Sequence, residues 1–182
     1  MLNKLGSLRD YVVFDIETTG LKPDSAQVTE IGAVKVSDGQ VIAEFSTLIN
    51  PGTVIPAHIT QITGISQEMV KDSPSINQVL PEFLNFSAGF PLVAHNAKFD
   101  LSFIEYSCEQ LSLAWQRPLV VDTLSLARQI IPRGRTQNYK LQTLSNFLGC
   151  TSSPSHRALQ DALTTHEVLT ELTALALGEP AF

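Results

Sequence analysis

The chain has 182 residues, of which 43% are hydrophobic and 16% charged, and it carries a formal net charge of −6 at pH 7. This length suits one domain with a packed core, and the composition is typical of a globular protein and excludes a disordered chain. The acidic excess excludes nucleic-acid binding by bulk electrostatics alone, although it allows binding through bound cations. The longest apolar runs are too short to span a membrane, and the first ten residues have no signal-peptide core. We therefore expect a cytoplasmic protein without membrane association.

The first third of the chain predicts an antiparallel meander of three strands. After a leader at residues 1–9, an apolar strand runs to Glu17. The segments Val28–Ser37 and Val41–Ile49 also have strand composition, and Asp38-Gly39 between them is a hairpin turn signal.

The rest of the chain predicts short buried strands that alternate with helices. The strands are Leu92–Ala94 and Leu119–Val121. Apolar spacing, caps and breakers predict helices over Ala57–Gly64, Ser66–Lys71, Ile76–Leu84, Asp100–Leu113, Thr123–Ile131, Leu141–Leu148 and Ala158–Leu177. This order predicts one α/β domain over residues 1–182, with a mixed five-stranded sheet flanked by helices and a short tail at 178–182.

Two carboxylates stand near the end of the first strand, in the stretch Val12–Gly20. Alternation along a strand places Asp15 and Glu17 on the same side, roughly 6.5–7 Å apart. Acids on an otherwise apolar strand are costly to bury unless a positive charge lies between them. We therefore predict that Asp15 and Glu17 form half of a site for a hard metal ion.

Two later motifs, His95–Asp100 and His156–Asp161, could supply the other half. Taken alone, Asp100 is best explained as a helix N-cap, Asp161 as a first-turn carboxylate that complements a helix dipole, and His156 as a surface histidine. Five residues along a helix turn a side chain by about 140°. If His156 and Asp161 act at one site, Asp161 must lie in the first turns of the last helix and His156 in the loop before it.

Together, the motifs DIETTG, NAKFD and HRALQD resemble the three-motif signature of the DEDDh 3′–5′ exonucleases. Within that superfamily, the chain is most similar to the exonuclease subunits of bacterial DNA polymerase III, from about Arg9 to about Leu175. The resemblance implies a ribonuclease-H-like fold. It also implies a general base at His156 and four metal-binding acids, namely Asp15, Glu17, Asp100 and Asp161.

The activity that this resemblance implies is hydrolysis of phosphodiester bonds at DNA 3′ ends, with release of nucleoside 5′-monophosphates and a role in proofreading or repair. Two Mg²⁺ or Mn²⁺ ions are the implied cofactors, and hard cations of this kind prefer carboxylate oxygens. The implied partners are single-stranded or frayed DNA 3′ ends and the polymerase III catalytic subunit. RNA trimming or oligoribonuclease activity stays open because no motif reads a 2′-hydroxyl. A catalytically silent nucleic-acid-binding or scaffold domain is a third alternative.

Several further residues have both a substrate-binding and a structural interpretation. By resemblance, Thr18, Thr19, Ile62, His95 and Asn96 contact the terminal nucleotide. The structural alternatives are turn capping for the threonines, core packing for Ile62 and strand-end hydrogen bonding for Asn96.

Other polar residues are assigned structural or open roles. Asp122 is predicted to cap the helix that follows it, and Glu30 is assigned a structural role. The basic loop Arg133–Lys140 is either a solvated loop or a phosphate-tracking segment.

The polymerase subunit normally continues past the nuclease domain into a polymerase-binding segment, whereas this sequence ends at Phe182. We therefore expect a catalytic fragment, a stand-alone homologue, or a chain whose partner binds elsewhere.

Overall fold

A mixed five-stranded sheet forms the centre of the structure, a computed structural model that describes residues 8–178. Most of the predicted leader and tail, residues 1–7 and 179–182, lies outside the described residues. The strand order is β3-β2-β1-β4-β5. The first three strands pair antiparallel, and β4 and β5 add in parallel to β1, which confirms the predicted mixed sheet. The strands are β1 (Asp10–Thr18), β2 (Val28–Ser37), β3 (Gln40–Leu48), β4 (Leu92–Ala94) and β5 (Val120–Asp122).

Seven helices in the described part of the chain cover the sheet. They are α1 (Ala57–Thr63), α2 (Gln67–Val70), α3 (Ile76–Ser87), α4 (Lys98–Gln110), α5 (Thr123–Ile130), α6 (Leu141–Leu148) and α7 (Ala158–Leu177). Over residues 8–178, none of these helices has both the length and the apolar character that a bilayer span requires.

The alternation of β1 sends its side chains into two separate cores. Val12, Phe14 and Ile16 pack on the side of the sheet that α3 and α4 cover. Val13 packs on the opposite side, against α5, α6 and α7. Because successive side chains on a strand point to opposite faces, Asp15 and Glu17 continue the face of Val13 and therefore point toward the α7 side.

Helix α7 comes unusually close to β2, and Gly32 makes this approach sterically allowed. A Cβ atom at position 32 would lie 2.1 Å from the amide nitrogen of Leu159 and 2.2 Å from the carbonyl carbon of Ala158. Only a residue without a side chain fits there, so the first turn of α7 rests directly on the strand next to β1.

Helix α4 begins earlier than the sequence predicted, which changes the role of Asp100. The helix starts at Lys98 with Ala97 as its N-cap residue, so Asp100 lies inside the first turn and its predicted N-cap role is wrong. Asp122 at the end of β5 instead holds the segment that leads into the helix, because its Oδ1 accepts the amides of Asn96 at 2.9 Å and Ala97 at 3.4 Å. This contact is long-range in sequence, so no local signal marked the helix start.

We predict that Gly32→Ala destabilises the protein by about 3 kcal/mol, since the new methyl group would overlap the backbone of α7. Gly20→Ala is the matched control, because its Cβ would meet only the Ala26 side chain, at 3.2 Å. The control should cost no more than about 1 kcal/mol. Urea unfolding of both variants measures the difference, and equal losses would contradict the close approach of α7.

Candidate active site

A cleft with a volume of about 570 Å³ opens at the carboxyl end of β1. Helices α4, α5 and α7 and the segment before α6 contribute its walls. Seven of the ten candidate site residues line it: Asp15, Glu17, His95, Asn96, Asp100, His156 and Asp161.

Asp15 and Glu17 form the floor of this cleft, on the face of β1 that points toward α7. Among the described residues, neither carboxylate has a hydrogen-bonded or ion-paired protein partner. Burial raises the pKa of Asp15 well above its usual range, and the negative charges of Asp100 and Glu17 raise it further. Burial likewise raises the pKa of Glu17 to about 8, with Asp161 adding to the effect. Neither group is ion-paired within the described residues, although the charge of Arg157 partly offsets the rise in the pKa of Glu17.

Asp100 reaches the cleft from the first turn of α4 and is 2% exposed. Its Oδ1 accepts the backbone amide of Ile16 at 3.2 Å, which ties α4 to β1 between the two strand acids. Burial raises the pKa of Asp100 to about 8, although hydrogen bonds from backbone amides partly offset the rise. The helix start at Lys98 thus places Asp100 in the cleft instead of at a cap.

Asp161 and His156 have the relative placement that their spacing requires. Asp161 lies in the first turn of α7, and His156 lies in the loop before that helix. Asp161 Oδ1 accepts the amide of Ser155 at 2.8 Å. Burial raises the pKa of Asp161, while the Ser155 amide and the nearby His156 ring act in the opposite direction. His156 is exposed and adopts a left-handed backbone conformation with φ 55°.

The donor atoms in the cleft suit a hard divalent cation. Glu17, His156 and Asp161 each offer a ligand atom, and these atoms lie within 4.8 Å of one another. The pKa values of all four acids are raised, chiefly by burial. Carboxylate oxygens are the ligands that Mg²⁺ and Mn²⁺ prefer, and a cation would stabilise the ionised acids. This group of acidic residues could therefore hold metal.

His95 and Asn96 line the cleft near the carboxyl end of β4. Both ring nitrogens of His95 are occupied, Nδ1 by the Thr123 hydroxyl at 2.9 Å and Nε2 by the Tyr139 carbonyl at 3.0 Å. Burial lowers the pKa of His95. Asn96 is exposed and has φ 63°, a conformation that asparagine adopts more readily than most residues.

Thr18, Thr19 and Ile62 are not among the residues that line the cleft. The Thr18 hydroxyl donates to the carbonyl of Gly20 at 2.6 Å, and Thr19 Oγ1 accepts the amide of Gln27 at 2.9 Å. These bonds confirm the turn-capping interpretation of both threonines. Ile62 is 53% exposed, which excludes the core-packing alternative, and its predicted contact with the nucleotide stays a prediction.

The cleft lining also carries positive charge, part of which lies outside the predicted basic loop. Lys140, Asn138 and Tyr139 line the cleft from the basic loop, whereas Arg128 reaches it from α5 and was not singled out. No local signal distinguishes Arg128 from a surface arginine, because its position depends on how α5 packs.

Asp122 accepts the amide of Leu124 at 3.1 Å, which confirms its predicted capping role.

Comparisons with known proteins place the chain in a family. The family model described as Exonuclease (RNase_T) matches residues 12–169. The PolC-type DNA polymerase III of Caldanaerobacter subterraneus subsp. tengcongensis is 44% identical over 163 residues, which are 90% of this chain and 11% of that protein. The DNA polymerase III subunit epsilon of Treponema pallidum is 38% identical over 167 residues, covering 90% of this chain and 76% of the subunit.

Among solved structures, Exonuclease X in complex with 5′ overhanging duplex DNA matches with a TM-score of 0.71 and 28% identity, covering 94% of this chain and 95% of that chain. This likeness and the sheet order confirm the predicted ribonuclease-H-like fold. The chain spans only about a tenth of the PolC-type polymerase, 11% of its length, but most of the epsilon subunit. On the family match and the epsilon similarity, the chain belongs to the RNase_T exonuclease family.

Proposed function

We propose that this chain is a metal-dependent 3′–5′ exonuclease that removes nucleoside 5′-monophosphates from DNA 3′ ends. The observation that carries the proposal is the convergence of Asp15, Glu17, Asp100 and Asp161, from β1, α4 and α7, on one cleft that also holds His156. Membership of an exonuclease family supports the same reaction class.

The four carboxylates would hold two Mg²⁺ or Mn²⁺ ions. When bound, such ions neutralise charge on the scissile phosphate and lower the pKa of the attacking water. The rigid position of Asp15 and Glu17 on a central strand, and the bond from Ile16 to Asp100, keep these ligands in place before substrate arrives.

His156 is the proposed general base. It accepts a proton from the water whose oxygen forms the new bond to phosphorus, while the bond from phosphorus to the leaving 3′ oxygen breaks. Its exposure lets His156 return its proton to solvent.

The walls of the cleft support a nucleic-acid substrate. Arg128 and Lys140 line the same cleft as the four acids, so a phosphodiester backbone bound there could contact cations as well as the metal-binding acids. We assign Asn96 and His95 to the pocket of the terminal nucleotide. Thr18, Thr19 and the exposed Ile62 are proposed to contact the same nucleotide, as their resemblance to family positions implies.

DNA is the favoured substrate because the relatives named above are a PolC-type DNA polymerase III and a DNA polymerase III epsilon subunit. We accordingly propose single-stranded or frayed 3′ ends as substrate, a proofreading or repair role, and the polymerase III catalytic subunit as partner.

We predict that the protein releases mononucleotides from a 5′-labelled DNA oligonucleotide only when Mg²⁺ or Mn²⁺ is present, and that EDTA stops the release. Asp15→Asn should lower the rate by about 100-fold or more, because it removes a ligand charge from the buried site. Product chromatography identifies nucleoside 5′-monophosphates.

The same time course on a matched RNA oligonucleotide decides between DNA and RNA. Faster turnover of RNA would overturn the DNA assignment. If the wild-type protein releases no mononucleotide from either strand with either metal, the exonuclease proposal fails.

His156→Ala is expected to reduce turnover by about 100- to 10,000-fold while Mn²⁺ affinity stays unchanged, since a base is lost but the carboxylates remain. His58→Ala, an exposed histidine on α1 outside the cleft lining, is the matched control and should retain wild-type turnover. Calorimetric titration with Mn²⁺ measures affinity. Loss of Mn²⁺ binding in His156→Ala would make His156 a ligand, which its closeness to Glu17 and Asp161 also allows.

The raised acid pKa values predict the pH dependence of the metal-free protein. Folded Glu17 and Asp100 titrate near 8, above their unfolded values of about 4, so the folded state binds more protons between these limits. Their contribution to stability is full below about pH 4 and is lost as pH rises through about 8. In EDTA, Tm should therefore fall between about pH 4.5 and about pH 8, and less steeply in Asp15→Asn. A Tm that rises over this interval would contradict unpaired burial of the acids.

A further inference from the structure

Glu30 is a buried acid on β2 that lies outside the cleft lining, and both of its oxygens are occupied. Oε1 accepts Nη2 of Arg157 at 2.7 Å, and Oε2 accepts Nε of Arg157 at 3.1 Å. Oε2 also accepts the backbone amide of Ala158 at 3.0 Å. A bidentate ion pair between a guanidinium and a carboxylate fixes the orientation of the two side chains as well as their distance.

The pair acts on the residue next to the proposed general base. Arg157 directly follows His156 and is the N-cap residue of α7. His156 has φ 55°, a left-handed conformation that a residue with a side chain rarely keeps unless its neighbours hold it. On its other side, the amide of Ser155 is bound to Asp161. His156 is therefore held between two anchored residues.

Both residues of β2 that hold the start of α7, Glu30 and Gly32, lie on one face of the strand. Glu30 and Gly32 are two residues apart, so both point toward α7. Gly32 lets the first turn of α7 lie against the strand, and Glu30 binds the amide and the arginine at the start of that turn. Arg157 is not part of the cleft lining, and its guanidinium is bound to Glu30; its charge also lowers the pKa of Glu17.

From this geometry we infer that the Glu30–Arg157 ion pair positions His156 for proton transfer. Glu30 and Arg157 are positioning residues, and the inference rests on the proposed exonuclease function. The structural role assigned to Glu30 is therefore to hold the loop that contains His156.

The test compares Arg157→Gln, Glu30→Gln and the double variant with Arg9→Gln. Glu30→Gln keeps an oxygen for the Ala158 amide but loses the charge. Arg9→Gln is the matched control, because Arg9 forms an exposed pair with Asp38 at the opposite end of β1 and its loss changes net charge equally. Steady-state kinetics on DNA with Mg²⁺ separate effects on kcat from effects on KM. Hydrogen exchange of the metal-free protein measures how readily the loop before α7 opens.

We expect kcat to fall about tenfold or more in both single variants, with KM unchanged, and the double variant to lose no more than either single one. Exchange at the Ser155 amide should accelerate about tenfold in Arg157→Gln, while exchange at Val168, inside α7, stays unchanged. A higher KM with unchanged kcat would show that Arg157 binds substrate and would overturn the inference. An equal loss in Arg9→Gln, or unchanged exchange at Ser155, would also overturn it. If the wild-type protein shows no turnover, the proposed function fails, and the exchange measurement still tests the ion pair.

Discussion

Burial of unpaired carboxylates at the end of β1 is the constraint on which the rest of the structure depends. Asp15 and Glu17 share one strand face, and α4 and α7 bring two more acids to the same cleft. Burial and like charge raise the pKa values of these acids, so their assembly opposes folding of the metal-free chain at neutral pH. Contacts outside the cleft offset this loss of stability. They include two apolar cores and the close packing of α7 on β2 at Gly32. A fold with this arrangement is explained by the cation that its acids would bind.

The site divides into a rigid part and an exposed part. Asp15, Glu17 and Asp100 are tied to the central strand, and the amide of Ile16 links two of the elements that carry them. His156 instead lies on an exposed loop, in a backbone conformation that its neighbours must enforce. A metal ligand needs a fixed position, whereas a base must exchange protons with solvent. The two kinds of support therefore match the two proposed roles.

Local periodicity predicted the parts of the site that depend on one element. The two-residue repeat placed Asp15 and Glu17 together, and the angle between residues five apart on a helix placed His156 before α7. Contacts between distant segments were not predictable in this way. The segment before α4 is bound by Asp122, 26 residues after Asn96, and the position of Arg128 depends on the packing of α5. Glu30 was recognisable as an acid in an apolar strand, but its partner lies 127 residues later.

The most direct test of the account is a crystal structure of the protein soaked with Mn²⁺ and a nucleoside 5′-monophosphate, recorded with anomalous scattering. The account predicts two anomalous peaks roughly 3.5–4 Å apart, ligated by Asp15, Glu17, Asp100 and Asp161, with His156 facing the phosphate. An empty cleft at saturating Mn²⁺, or a Mn²⁺ ion bound without Asp15, would contradict the central claim that these four acids form a metal centre.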